Sequence, residues 1–311
     1  MKILVYGAGV IGSIYSAKLF DAGFDVTLLA RGSRYENLKE KGIVIKEAKT
    51  GNQTISKIPL TQRLNADDFY DLIIVCVRLE QIDSIVPVLN ENKVCPLIMF
   101  MFNYTEKIEQ FKNELDPKQL ILGFPGVGGT YENEVIKFIK IKEQKTTIGD
   151  IDGSESLAIK KVKSIFEKAG FKIEISRDMI SWLQTHAVFI SAISAAIIKE
   201  GGNSEQLGKN KQGVKMMVAA IREGFKACKN QGIVITPFNL KIIFMIMPQW
   251  FYVYYWQRAL RSEVGTLAIA PHAVAAKNEM KLLSEKVLAM VHSPSIDTHT
   301  LDELLISFIQ D

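Results

Sequence analysis

Short apolar runs recur through the first half of the chain, and segments with helical spacing separate them. Residues 3–6, 72–77, 97–102 and 120–124 are nearly all Ile, Leu, Val, Met, Phe or Cys, and 24–30 is a mixed run of the same kind. Runs of this length without alternation suit parallel strands buried on both faces. Helical patterns are predicted at 13–20, 35–41, 105–111 and 157–169, with a further strand at 171–175 closing the sheet. Residues 43–45 and 55–58 flank Thr50-Gly51-Asn52, which reads as a turn between short strands. Gly126-Val127-Gly128-Gly129 reads as a flexible loop, followed by antiparallel strands at 135–139 and 146–148. After about residue 177 strand signals vanish. Long helical patterns run through 179–199, 208–231 and most of 240–291. The expected fold is therefore α/β. An open, mostly parallel sheet domain (1–176) precedes an all-helical domain (177–311). The ligand site is expected in the cleft between the two.

The first strand runs directly into Gly7-Ala8-Gly9-Val10-Ile11-Gly12, with its glycines in the spacing G-x-G-x-x-G. The first glycine lets the chain turn, the second lets backbone approach a pyrophosphate, and the third lets the new helix pack closely on the sheet. Gly7, Gly9, Val10, Ile11 and Gly12 are thus the expected phosphate-binding residues, with the open amides and positive end of the helix dipole facing the anion. The motif is weak alone and strong between a strand and a helix, so residues 1–176 are expected to form a Rossmann-type dinucleotide-binding domain, and 177–311 a helical domain for substrate binding and dimerisation.

In such a unit, an acid at the end of the second strand holds the ribose 2′-hydroxyl of NAD. Here that strand ends in Arg31-Gly32-Ser33-Arg34, with two guanidinium groups and no carboxylate; Asp25 enters the strand rather than leaving it. A guanidinium matches a phosphate bidentately, so the cofactor expected is NADP(H). Arg78, followed by Gln81, stands at the carboxyl end of the 72–77 strand and faces the same ligand crevice. Asn103 ends the next strand, where its amide could orient a nicotinamide or a substrate, or simply cap a helix. The alternative reading of each arginine is a solvated loop charge.

Composition changes this picture little. Apolar residues make up 48% and charged residues 23%, with a formal charge of +4, so no nucleic-acid arm is indicated. Three scattered cysteines fit a reducing, cytoplasmic setting, and Cys76, inside an apolar run, reads as buried and inert. The four histidines have no metal-ligand spacing. The apolar stretches at 187–198 and 242–247 are shorter than the roughly 20 residues of a membrane span, so no membrane partner is expected.

Together, G-A-G-V-I-G with Arg31, Arg78 with Gln81, Asn103, Trp182, Arg222-Glu223-Gly224, Gly232-Ile233 and Arg261-Ser262-Glu263 resemble the ketopantoate reductase family. The resemblance implies NADPH-dependent reduction of a 2-keto acid or related carbonyl compound. It gives Arg31 the 2′-phosphate, Arg78 further cofactor contact, Asn103 the space between nicotinamide and substrate, and Glu263 a hydrogen bond to the substrate hydroxyl or the cofactor side. With Trp182 as anchor, the family's catalytic lysine falls on Gln184 and its two asparagines on Val188 and Ala192. A glutamine amide has no titrating proton and cannot act as general acid at neutral pH. His186 lies about 200° around the helix from Gln184 and reads as structural. Three readings follow: a reductase of a small carbonyl substrate, an NADP(H)-binding sensor or degenerate paralogue without catalysis, and an NAD-linked dehydrogenase. A homodimer is compatible with the helical domain.

Overall fold

The computed structural model describes residues 1–48, 50–103, 106–140, 145–292 and 295–311, with backbone alone at 139, 140 and 249. By contacts, residues 1–102 and 106–179 form one compact unit, and Asn103 with 180–311 forms a second.

The first unit holds the strands β1 (Lys2–Tyr6), β2 (Asp25–Leu29), β3 (Ile43–Glu47), β4 (Gln53–Ser56), β5 (Leu60–Thr61), β6 (Leu72–Val75), β7 (Ile98–Met101), β8 (Leu120–Phe124), β9 (Val127–Glu132), β10 (Val135–Lys140), β11 (Thr146–Asp150) and β12 (Ile173–Ile175). Its helices are α1 (Val10–Asp21), α2 (Gly32–Lys41), α3 (Ile82–Glu91), α4 (Ile108–Glu114) and α5 (Leu157–Lys168). Eight strands form one sheet in the order β12-β11-β8-β7-β6-β1-β2-β5. All pairings are parallel except β11 with β8. The chain reverses direction across the sheet at β1, between β2 and β6, which is where an open α/β sheet binds ligands. The apolar runs form its inner strands because both faces are covered: Ile3, Leu4, Leu72, Ile73 and Ile74 are fully buried.

Two expectations change. β9 replaces the expected loop at 126–129: Val127 to Glu132 pair antiparallel with Lys140 to Val135. Glycine suits this strand because β9 runs tightly against its surroundings; a Cβ at Gly129 would stand 2.6 Å from the Lys137 carbonyl oxygen and 3.2 Å from Val10. The strands at 135–139 and 146–148 do not pair with each other either. β10 joins β9 and β3 in a second sheet, β4-β3-β10-β9, whereas β11 belongs to the large one. The β3–β4 hairpin forms as expected, with Ile43 opposite Ser56. The start of the helix expected at 105–111 lies outside the described residues; α4 itself runs Ile108–Glu114.

The second unit is helical: α6 (Met179–Lys199), α7 (Ser204–Lys209), α8 (Lys211–Asn230), α9 (Phe238–Lys241), α10 (Gln249–Leu260), α11 (Ala270–Ala275), α12 (Lys277–Val291) and α13 (His299–Gln310). The pattern at 208–231 breaks at Asn210, whose Oδ1 accepts from the amides of Gln212 and Gly213 and starts α8. The pattern at 240–291 breaks at Pro248, which precedes α10, and at two π-helical turns, Ile242–Ile246 and Gly265–Ile269. At the second turn the chain doubles close on itself; a Cβ on Gly265 would lie 2.2 Å from the Leu260 carbonyl oxygen. α6 and α8 approach closely at Gly224, where a Cβ would stand 2.5 Å from Val188 Cγ1. The apolar stretch 187–198 sits within the 21 residues of α6, the one described helix long and apolar enough to cross a membrane, and 72% of its most apolar part is buried inside the protein.

Candidate dinucleotide site

The glycine turn has a built geometry. Gly7 has φ +114°, which a side chain rarely tolerates, and a Cβ there would lie 2.4 Å from the Cys76 carbonyl oxygen. A Cβ on Gly12 would lie 1.9 Å from the Gly7 carbonyl oxygen. The fold itself therefore demands both glycines. Gly9 is different. Its φ is −71°, and a Cβ there would meet nothing within 4 Å. Nothing in the protein requires a glycine at this place, so the space in front of Gly9 is open for a ligand. α1 begins at Val10, and helix geometry leaves the amides of Val10, Ile11 and Gly12 without carbonyls behind them. No acid stands in that first turn to oppose an anion.

Arg31 follows β2 at the N-cap position of α2, and it is exposed. Its guanidinium lies 6.0 Å from the centre of the Tyr6 ring and makes no ion pair among the described residues. Arg34 is engaged instead. Its Nε donates to the Ala8 carbonyl at 3.2 Å, Nη1 to Asn37 Oδ1 at 3.3 Å, and Nη2 to the Tyr131 hydroxyl. Tyr131, from β9, also donates to the Ala8 carbonyl and stands 3.3 Å from the Ser13 hydroxyl. Burial raises the phenol's pKa above its ordinary value, so it remains a neutral donor. Arg34 and Tyr131 thus brace the glycine turn from the outside. The sequence offered no sign of Tyr131, because the signal lies in pairing between distant strands.

Arg78 follows β6 and is exposed, 4.0 Å from Glu80. Gln81 Oε1 accepts from the Arg78 amide at 3.2 Å, so this side chain serves the local turn. Gly7, Arg31 and Arg78 follow β1, β2 and β6, three neighbouring strands, at their carboxyl ends. Cys76 is buried beneath the turn, and burial pushes its thiol up to about 12, so it stays protonated and unreactive.

In the second unit, Asn103 is buried and its Nδ2 donates to Glu279 Oε1 at 2.9 Å. The sequence reading did not single out Glu279; an acid in the first turn of a helix reads only as a complement to the dipole. Glu263 is exposed, just before the second π-helical turn, and Gln184 is half-buried on α6. Val188 and Ala192 are fully buried packing residues. His186 stacks on Trp182, ring centres 5.1 Å apart, and burial, with His272 adding to it, pushes its pKa down to about 3. Of the aromatic run, Tyr252 and Trp256 face the interior, while Trp250, Tyr254 and Tyr255 are exposed.

Residues 3–153 match the family model of ketopantoate reductase PanE/ApbA. This stretch is a ketopantoate reductase family domain. The chain is 27% identical, over 254 residues, to a 2-dehydropantoate 2-reductase of Pyrococcus horikoshii, covering 78% of this chain and 79% of the relative. Its fold matches that of a 2-dehydropantoate 2-reductase from Geobacter metallireducens with a TM-score of 0.80 at 14% identity, over 100% of this chain and 99% of that one. A D-mandelate dehydrogenase solved with NADH and anilino(oxo)acetate matches with a TM-score of 0.79 at 16% identity, over 100% and 98%. The fold likeness to these structures thus extends over the whole chain, beyond the stretch that the family model matches.

Proposed function

We propose that the chain is an NADPH-dependent reductase of a small carbonyl compound, a 2-keto acid or a close relative. The observation that carries this reading is the open glycine turn with a free guanidinium, and no carboxylate, at the neighbouring strand tip. Gly9 and the first-turn amides of Val10, Ile11 and Gly12 would hold the pyrophosphate, and Arg31 the 2′-phosphate, with Arg78 adding positive charge at the next strand. The bound cofactor supplies a hydride to the carbonyl carbon. The relatives named 2-dehydropantoate 2-reductase, and the NADH in the mandelate dehydrogenase, support a nicotinamide cofactor.

On the substrate side, Asn103 spends one N–H on Glu279 and keeps its other N–H and its carbonyl oxygen for cofactor or substrate. Glu279 therefore fixes the amide's orientation. Glu263 is proposed to meet the hydroxyl that forms. Gln184 can donate a hydrogen bond but not a proton, so the developing alkoxide takes its proton from water or from another group. General acid assistance typically contributes about 10²–10⁴-fold, so turnover is expected to be slow. The test is NADPH oxidation with ketopantoate and with branched and aromatic keto acids, for the wild type and for Gln184→Lys. Turnover by the wild type, raised in the variant, is expected. Binding of NADPH without turnover of any keto acid by the wild type would remove the reductase reading.

A further inference from the structure

The first unit contains a cavity of about 390 Å³ that the dinucleotide reading does not use. It lies beside the C-terminal half of α1. Lys18, on its rim, stands eight residues beyond Val10, or about 12 Å along the helix axis from the phosphate-binding end. The walls include the buried rings of Phe138 (β10) and Phe171 (just before β12). Thr146 lies at the floor, its hydroxyl already bonded to the Tyr15 hydroxyl and to the Gly126 amide. Two lysines line the cavity, half-buried Lys18 and exposed Lys172, and neither makes an ion pair among the described residues. Lys18 is held only 5.9 Å from the centre of the Phe138 ring. The acid present, Glu47, accepts a hydrogen bond from the Thr50 hydroxyl.

We propose that this cavity is a second binding site, for a small organic anion with an apolar body, such as a medium-chain carboxylate. The chemistry of the lining selects that class. A neutral apolar molecule would cover the rings and leave both ammonium groups uncompensated. A compact inorganic anion would meet the lysines and leave the rings wet. A carboxylate with a hydrocarbon tail satisfies both, with its head at Lys18 and Lys172 and its tail against Phe138 and Phe171. The volume is within the range of small-molecule sites.

The test is calorimetric titration of the intact protein with butanoate, hexanoate, octanoate and octanol, repeated with NADPH at saturation. Octanoate is expected to bind at one per chain, and each added methylene to tighten binding about fourfold until the cavity is full. Octanol is expected to bind at least tenfold more weakly. The double variant Lys18→Gln, Lys172→Gln is expected to lose about tenfold in octanoate affinity, and raised salt to weaken the wild type toward it. Saturating NADPH is expected to leave the octanoate stoichiometry unchanged. The proposal is overturned by any of four results: no saturable octanoate binding, equal affinity for octanol, unchanged affinity in a double variant that melts like the wild type, or one-for-one displacement by NADPH. A Phe138→Leu variant that melts like the wild type checks the tail. It is expected to weaken octanoate more than butanoate, and equal weakening of the two would also overturn the proposal.

Discussion

A methyl group added at Gly12 would stand 1.9 Å from a carbonyl oxygen, while one added at Gly9 would meet no atom within 4 Å. Three residues apart, the two glycines answer to different constraints, and substitution separates them. Gly12→Ala is expected to lower stability by about 2–4 kcal/mol in thermal or urea denaturation, because backbone must move to admit the methyl. Gly9→Ala is expected to melt like the wild type and to weaken NADPH binding at least tenfold in a fluorescence titration. His186 gives a prediction in pH. Its pKa is pushed from an ordinary 6.5 down to about 3 in the folded chain, so the unfolded state binds the proton more tightly. Its contribution to stability is therefore complete above about pH 6.5 and is lost as pH falls toward 3, with a slope of at most about 1.4 kcal/mol per pH unit. Comparing the stability of wild type and His186→Phe from pH 7 to pH 4.5 checks this; the wild type is expected to fall more steeply. Helix spacing alone turned His186 away from Gln184, and the structure stacks it on Trp182. Arg34 was harder to read. Its partners, Ala8 and Tyr131, are 26 and 97 residues away, and local sequence carries no such distance.

At the scale of elements, the inner strands were plain in the sequence because both of their faces are buried, which leaves an unbroken apolar run. β9 was not, because Gly129 there serves close packing against β10 and α1, and glycine in a short stretch also signals a loop. Gly129→Val is accordingly expected to cost about 2 kcal/mol or more in denaturant unfolding. In the helical unit, Pro248 and the two π-helical turns divide what looked like one long pattern. α13 went unpredicted although Leu301, Leu304, Leu305 and Phe308 carry its apolar face. Its start is tied to α8 by Glu223, whose Oε2 accepts from the Leu301 amide at 3.0 Å. Removing that acceptor in Glu223→Ala leaves a helix-terminal amide unpartnered. A loss of about 1–2 kcal/mol is expected, read by urea denaturation, with Glu223→Gln losing less.

For the whole molecule, the fold likeness runs further than the family match: residues 3–153 carry the ketopantoate reductase domain signature, and the helical unit follows it in the same fold. The sequence carried the glycine turn and the cationic strand tip, since both are local. It did not carry Glu279, because the partner of Asn103 is set by how distant segments meet. NADPH selection by charge at Arg31 is tested directly by parallel equilibrium titrations with NADPH and NADH, on the wild type and on Arg31→Ala. The expected result is NADPH binding at least tenfold tighter than NADH in the wild type, with most of that preference lost in the variant and NADH affinity little changed. Equal affinities for the two dinucleotides in the wild type, or binding of neither, would contradict it.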